Sequence, residues 1–311
     1  MIIWLASYPR SGNTLLRQIL FQTMGIASYT DEQGSPLFMK AEGTEYAHLD
    51  FHRPWPEFYQ TATASQEVFL VKTHRMPIDA QPAIYVVRDG RSACQSYSEY
   101  QKKYLGGNAR PLLEIVLGDD IYGGWSQHFN AWASNRANTL LLRFEDMVDP
   151  TQDTLAKLAK VVRHHGGISE WCNPFGDLHQ VNPDFYRSGK KEWERSPVWA
   201  PLIDGVFNQL HGDLMVDLGY AEARDVESAR QLVSADERML LETAGRLISE
   251  KKHFEQVCQE RQMVIDGLSL ACQERLDLIH RLETELKSVR SPGKRSGVCD
   301  GMRQAQEGPD T

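Results

Sequence analysis

The sequence predicts an α/β chain, a mainly parallel sheet with helices on both faces, followed by a C-terminal helical extension. Three observations predict it. Short apolar runs rich in branched and aromatic residues read as buried parallel strands. Segments of helical spacing stand between those runs. After Val226 the apolar spacing changes to sevens, the period of a coiled coil.

The first strand is Ile2-Ile3-Trp4-Leu5-Ala6. It leads into Ser7-Tyr8-Pro9-Arg10-Ser11-Gly12-Asn13-Thr14, and then Leu15, Leu16, Ile19, Leu20 and Met24 recur at helical spacing. That order is strand, tight loop, helix. Such a loop sets backbone N–H groups and a positive helix end around an anion. Arg10 is the adjoining cation, Gly12 lets the backbone approach, and Asn13 or Thr14 opens the helix. The loop is not a Walker A sequence, because no glycine stands five before Gly12 and no Lys follows it. An ordinary βα turn with an incidental Arg would look the same locally.

Residues 26–66 are irregular and rich in aromatic side chains: Tyr29, Phe38, Tyr46, Phe51, Trp55, Phe58 and Tyr59. They either wall an acceptor pocket or cover the sheet. The next strand ends in Lys72-Thr73-His74, with Lys72 and His74 on one side of an extended chain. Ligands of open α/β sheets bind at the C-terminal strand ends. A Lys and a His there could supply a cation and a general base, and a His after a strand is also a common structural cap. A third strand, Ala83–Val87, ends in Arg88 and the turn Asp89-Gly90-Arg91. Ser92 is the expected cap of a helix that carries Ser96. Arg88 and Ser96 could bind one phosphate group between them. Residues 109–136 read as helix, 139–144 as strand and 151–165 as helix. Pro197, Pro201 and Gly205 break the chain before a helix of Val206, Leu210, Leu214 and Leu218.

Composition narrows the function classes. The 311 residues carry a formal net charge of −8, which argues against a nucleic-acid partner. Any anion site must be locally basic. The five cysteines, at 94, 172, 258, 272 and 299, have no paired metal spacing, and such an odd, sparse set fits a reducing compartment. No metal cofactor is expected. The chain opens on a strand rather than a basic and apolar leader, and no apolar run reaches the ~18 residues of a membrane span. The expectation is a cytoplasmic protein with no transmembrane segment.

The combination resembles the sulfotransferases that use 3′-phosphoadenosine-5′-phosphosulfate. Tyr8-Pro9-Arg10-Ser11-Gly12-Asn13-Thr14 is similar to their 5′-phosphosulfate loop, and Lys72-Thr73-His74 to the K-T-H segment that carries their catalytic His. Arg88 and Ser96 match their Arg-x7-Ser 3′-phosphate motif. Tyr122–Trp132 looks like their Y-G-S-W-x-x-H helix. Leu142-Arg143-Phe144-Glu145-Asp146-Met147 is similar to their Y-E-D-[LM] turn. Phe185-Tyr186-Arg187-Ser188-Gly189 resembles their late F-x-R-x-G loop. Six motifs appear in the family's order between residue 1 and about residue 221. Leu15 stands where many members have Trp, and Phe144 where many have Tyr.

The resemblance implies the P-loop-like sulfotransferase fold and, as donor, 3′-phosphoadenosine-5′-phosphosulfate. It implies catalytic roles for His74, Lys72 and Arg10. It implies nucleotide contacts from Arg10, Ser11, Gly12, Asn13, Thr14, Arg88, Ser96, Phe144, Arg187, Ser188 and Gly189. The acceptor would be a hydroxyl or amine compound that the sequence does not name. In-line transfer of an anionic group is mostly positioning and charge stabilisation, which suits these residues. Two other readings stay open. One is a nucleotide kinase on a related fold, which would need a Walker Lys. The other is a non-catalytic scaffold assembled through the extension.

The expected organisation is a catalytic domain over 1–225, a helical coiled-coil segment over 226–290 and a disordered tail over 291–311. Lys251, Cys258, Ile265, Cys272, Ile279 and Leu286 form one seven-residue register. Phe254, Arg261, Leu268, Arg275, Leu282 and Val289 form another, three residues on. These are a and d seam positions, and they make residues 247–290 a candidate for homo-oligomer contacts. A long amphipathic helix folded back on its own domain is the alternative.

Overall fold

The structure, a computed structural model, describes residues 1–31, 48–134, 137–181 and 193–290. Its sheet has five strands: β1 (Ile2–Ser7), β2 (Tyr29–Thr30), β3 (Phe69–Thr73), β4 (Ala83–Val87) and β5 (Thr139–Arg143). Their spatial order is β2-β3-β1-β4-β5, and every neighbouring pair is parallel. β1 is central, and all six of its residues are buried. Ile2, Trp4 and Ala6 enter one core; Ile3 and Leu5 enter the other. A strand covered on both faces has no solvated side, so its sequence is an unbroken apolar run.

Along the chain the helices are α1 (Asn13–Met24), α2 (Trp55–Ala64), α3 (Gly90–Leu105), α4 (Leu112–Leu117), α5 (Trp125–Phe129), α6 (Phe144–Met147), α7 (Gln152–Val161), α8 (Phe175–Val181), α9 (Pro201–Asp217), α10 (Ala223–Arg230) and α11 (Ala235–Arg290). Leu15, Leu16, Ile19 and Leu20 of α1 and Leu155 and Leu158 of α7 fill the core behind Ile3 and Leu5. Trp125 of α5 and Phe207 of α9 fill the core on the other side. Each such fully buried side chain contributes roughly 1.5–3 kcal/mol.

Two local expectations change, and one alternative left open is decided. The stretch 109–136 is not one helix. α4 stops at Gly118, whose φ of 77° is left-handed, and α5 starts at Trp125 before a π-helical turn over Asn130–Ser134. A Cβ at Gly118 would lie 2.5 Å from the Gly124 nitrogen, so this close turn requires glycine. The cap of α3 is Asp89 rather than Ser92. Its carboxylate accepts from the Arg91 and Ser92 N–H groups at 2.9 and 3.3 Å. A carboxylate at the positive helix end outcompetes a hydroxyl three residues later. Finally, the described part of the aromatic segment around Trp55 and Tyr59 covers the sheet. Trp55 and Tyr59 pack against Trp4, and the Tyr59 hydroxyl and the Trp4 Nε1–H both donate to Asp79, at 2.7 and 2.9 Å. Phe38 and Tyr46 lie outside the described residues.

Two units make up the chain, Met1–Ile248 and Ser249–Thr311. The first extends past the change of composition at Val226, because Val226 and Val233 are buried, at 2% and 0% exposure. In the second, the described residues continue α11. There Phe254, Ile265, Leu268, Ile279 and Leu282 are exposed, between 48% and 66%. No helix of the described residues is long and apolar enough to cross a membrane.

Candidate active site

The site is built on the loop between β1 and α1. Arg10 has a φ of 63° and Gly12 one of 105°, and the Ser11 N–H turns back to the Tyr8 carbonyl at 3.2 Å. A non-glycine residue in the left-handed region costs about 1–3 kcal/mol and clusters at functional sites. Gly12 caps α1 with no side-chain hydrogen bond, so the first N–H groups of this 12-residue helix are not capped by its own chain there. The Ser11 hydroxyl is buried and has no hydrogen-bond partner among the described residues. Such a group suits an anion at the helix end. The Asn13 amide folds back instead, donating to the Leu5 carbonyl at 2.8 Å and to Ser7 Oγ at 3.3 Å. Asn13 thereby staples the loop to β1. Thr14 is half-buried in the first turn.

His74 follows the last residue of β3, and the parallel register Ala6↔Thr73 carries it beside Ser7. Its Nδ1 lies 2.7 Å from the Ser7 carbonyl oxygen and 3.3 Å from Ser7 Oγ. A carbonyl only accepts, so in the neutral ring Nδ1 carries the proton and Nε2 the lone pair. Lys72 sits two residues earlier, in register with Leu5 on one side and Thr30 on the other.

Arg88 follows β4 and points back to the loop. Its Nη1 donates to the Arg10 carbonyl at 3.2 Å, and its guanidinium lies 4.4 Å over the Phe144 ring. The register Val87↔Arg143 places Phe144 beside it. Phe144 also underlies Gly12: a Cβ there would meet Phe144 Cδ2 at 2.6 Å. Arg10 in turn donates from Nε to Ser96 Oγ on α3 at 3.3 Å, and its guanidinium lies 5.2 Å over the Tyr100 ring. The structure thus brings Arg10, Arg88, Ser96 and Phe144 together around the loop, with His74 at its start. Leu15 is buried in the core with Phe144 and Met147. Arg187, Ser188 and Gly189 lie outside the described residues.

Sequence reasoning missed Tyr85 and the part played by His128. The Tyr85 hydroxyl is 2.9 Å from His128 Nδ1, and His128 Nε2 is 2.8 Å from the His74 carbonyl. A single tyrosine in an otherwise aliphatic buried strand was the available signal. Complete burial pulls the His128 pKa down to about 4 and pushes that of Tyr85 far above the usual phenol range. No group of three or more His, Cys, Asp or Glu residues that could hold a metal ion occurs among the described residues.

Residues 2–165 match the model of the sulfotransferase domain. The chain belongs to the sulfotransferase domain family. The matched stretch contains the β1–α1 loop, Lys72, His74, Arg88 and Ser96, and it ends before Arg187. This sulfotransferase-family chain is 25% identical over 173 residues to a guinea pig (Cavia porcellus) 3-alpha-hydroxysteroid sulfotransferase. That alignment covers 50% of this chain and 56% of the relative. It is 28% identical over 176 residues to rat sulfotransferase 2A1, with the same two coverages. The chain therefore spans about half the length of the curated relatives it matches. Mouse sulfotransferase SULT7A1, solved in complex with PAP, aligns over 74% of this chain and 88% of its own. The identity is 16% and the TM-score 0.46.

Proposed function

We propose that this chain is a sulfotransferase that moves a sulfuryl group from 3′-phosphoadenosine-5′-phosphosulfate to a hydroxyl or amine of a small acceptor. One observation carries the reading. A single loop engages the candidate base through the Ser7 carbonyl and the candidate phosphate residues through Arg10. Base and anion site are thereby fixed to one another, as an in-line transfer needs.

The donor fits the residues present: an α1 N-terminus without a side-chain cap, a buried Ser11 hydroxyl without a partner among the described residues, and two guanidinium groups. When bound, it supplies the sulfuryl group and a nucleotide leaving group. His74 Nε2 takes the proton of the acceptor. Arg10 and Lys72 offset the negative charge that builds on the leaving oxygen. Arg88 and Ser96 hold the 3′-phosphate, joined by Arg187, Ser188 and Gly189. The similarity to a 3-alpha-hydroxysteroid sulfotransferase makes a hydroxylated small molecule the acceptor class to try first.

The protein is proposed to act in the cytoplasm and to self-associate through residues 247–290, whose two seven-residue registers present exposed apolar side chains. Turnover with labelled donor against a panel of hydroxysteroids, phenols and amines tests the activity. Transfer to any acceptor supports it. Binding of the donor without transfer to the panel or to water would favour the scaffold reading.

A further inference from the structure

We infer that His128 and Tyr85 position the base: they form a neutral, fully buried clamp that sets the orientation of His74. This rests on the sulfotransferase reading for its catalytic consequence, but not for its geometry. His74 and Arg75 lie just past the end of β3, so their carbonyls have no strand partner in the register of β1 and β3. Two side chains from the α5 region take them instead. His128 Nε2 reaches the His74 carbonyl at 2.8 Å, and the Trp132 Nε1–H donates to the Arg75 carbonyl at 2.9 Å.

The proton positions follow from the partners. A carbonyl accepts, so His128 Nε2 carries a hydrogen. In the neutral ring Nδ1 then holds a lone pair, and it accepts from the Tyr85 hydroxyl at 2.9 Å. Tyr85 and His128 are both 0% exposed. With the His128 pKa near 4 and that of Tyr85 far above 10, neither group changes charge at neutral pH. The chain of hydrogen bonds ends on the His74 backbone carbonyl, which takes no proton, so the pair is not a proton relay; His128, with both nitrogens engaged, is not the base. Its effect is mechanical. The His74 backbone is held by His128 through its carbonyl, and the His74 ring by the Ser7 carbonyl. Two fixed points leave the ring little rotation, and Nε2 keeps one direction. Loss of the clamp allows the strand end to shift, and a displacement of about 1 Å lowers turnover by ~100-fold.

Three variants in the full chain test this. His128→Ala should lower kcat by about ten- to hundredfold with the KM for donor, and the affinity for adenosine 3′,5′-bisphosphate, within about twofold of wild type. His128→Gln retains a donor for the carbonyl and an acceptor for Tyr85, and it should recover most of the lost kcat. Tyr85→Phe should lower kcat several-fold. Long-range ¹H–¹⁵N spectra of the histidine rings supply a readout without substrate. His74 should show a protonated Nδ1 in the wild type and a tautomer mixture in His128→Ala. If His128→Ala does not fold, Tyr85→Phe and His128→Gln carry the same comparison. Unchanged kcat and an unchanged His74 tautomer in the folded variants would overturn the inference. Nucleotide affinity falling in step with kcat would also overturn it, because that makes the role purely structural. A wild type with the expected tautomer but no transfer to any acceptor would sink the sulfotransferase reading and leave the clamp standing.

Discussion

Arg10 Nε lies 3.3 Å from Ser96 Oγ, two residues 86 apart in sequence. Arg10 leaves the loop after β1, and Ser96 stands on α3, which follows β4. Because β1 and β4 are neighbours in register, the loop after one and the helix after the other share an edge. Arg88 closes the set through the Arg10 carbonyl. Residues that the sequence places in two separate candidate phosphate motifs therefore adjoin.

That contact predicts nucleotide selectivity. Adenosine 3′,5′-bisphosphate should bind well ahead of AMP. Arg88→Ala should weaken it by about 1.5–3 kcal/mol and Ser96→Ala by about 0.5–1.5 kcal/mol, the scales of charged and neutral hydrogen bonds. Titration calorimetry checks both. Equal affinity for the two nucleotides would remove the 3′-phosphate assignment.

His74→Ala should lower turnover by about two to four orders of magnitude and leave nucleotide affinity nearly unchanged, since a general base acts on the acceptor. Single-turnover rates beside calorimetry separate the two effects. Near wild-type turnover would place the base elsewhere.

Gly12→Ala should be harmful twice over. Its φ of 105° suits no side chain, and the new methyl carbon would press on Phe144 at 2.6 Å. The expected cost is about 1–3 kcal/mol of stability. Phe144 also carries Arg88, so nucleotide affinity should fall as well. Thermal melts and titrations in parallel read both. An unchanged melting temperature would mean that the loop does not need the glycine.

Stability should fall with acid. His128 and His211 are buried neutral, each with its pKa lowered to about 4 from an ordinary 6.5. Between those values the unfolded chain binds more protons than the folded one, so stability rises with pH. The contribution is complete above pH 6.5 and is lost as pH falls toward 4, roughly 3 kcal/mol per histidine at the limit. His211 is held by the Val116 carbonyl at 2.9 Å and by Ser126 Oγ at 2.7 Å. His211→Gln should flatten part of the slope of melting temperature against pH. An identical slope in the variant would show that His211 does not contribute.

Shortening the chain after Ile248 should leave a folded monomer, because Val226 and Val233 stay within the retained core. The full chain should associate. Parallel in-register pairing would set Arg261 on Arg261 and Arg275 on Arg275. An antiparallel pairing that centres on Ile265 and Leu268 sets each of these arginines against a cysteine, Arg261 on Cys272 and Arg275 on Cys258. Like charges then leave the same layer. Light scattering reads the state, and mild oxidation reads the direction. Antiparallel copies should give no Cys258–Cys258 disulfide; that disulfide would show parallel chains, and monomers at tens of micromolar would exclude the seam.

The sequence by itself determined the parallel sheet, the β1–α1 loop and its cations, and the position of His74 at a strand end. Those features are local: a buried strand is an apolar run, a tight turn needs glycine, and a helix opens where its period begins. It also gave the covered β1, since only a strand packed on both faces is apolar throughout. Tertiary structure alone decided the rest. That the His74 ring is held by a backbone carbonyl at Ser7, and its own carbonyl by His128, depends on contacts across 67 and 54 residues. That Phe144 lies under both Arg88 and Gly12 depends on the register of β4 with β5. Backbone acceptors carry no residue identity, and a register is a relation between strands. Neither leaves a mark at any one position of the chain.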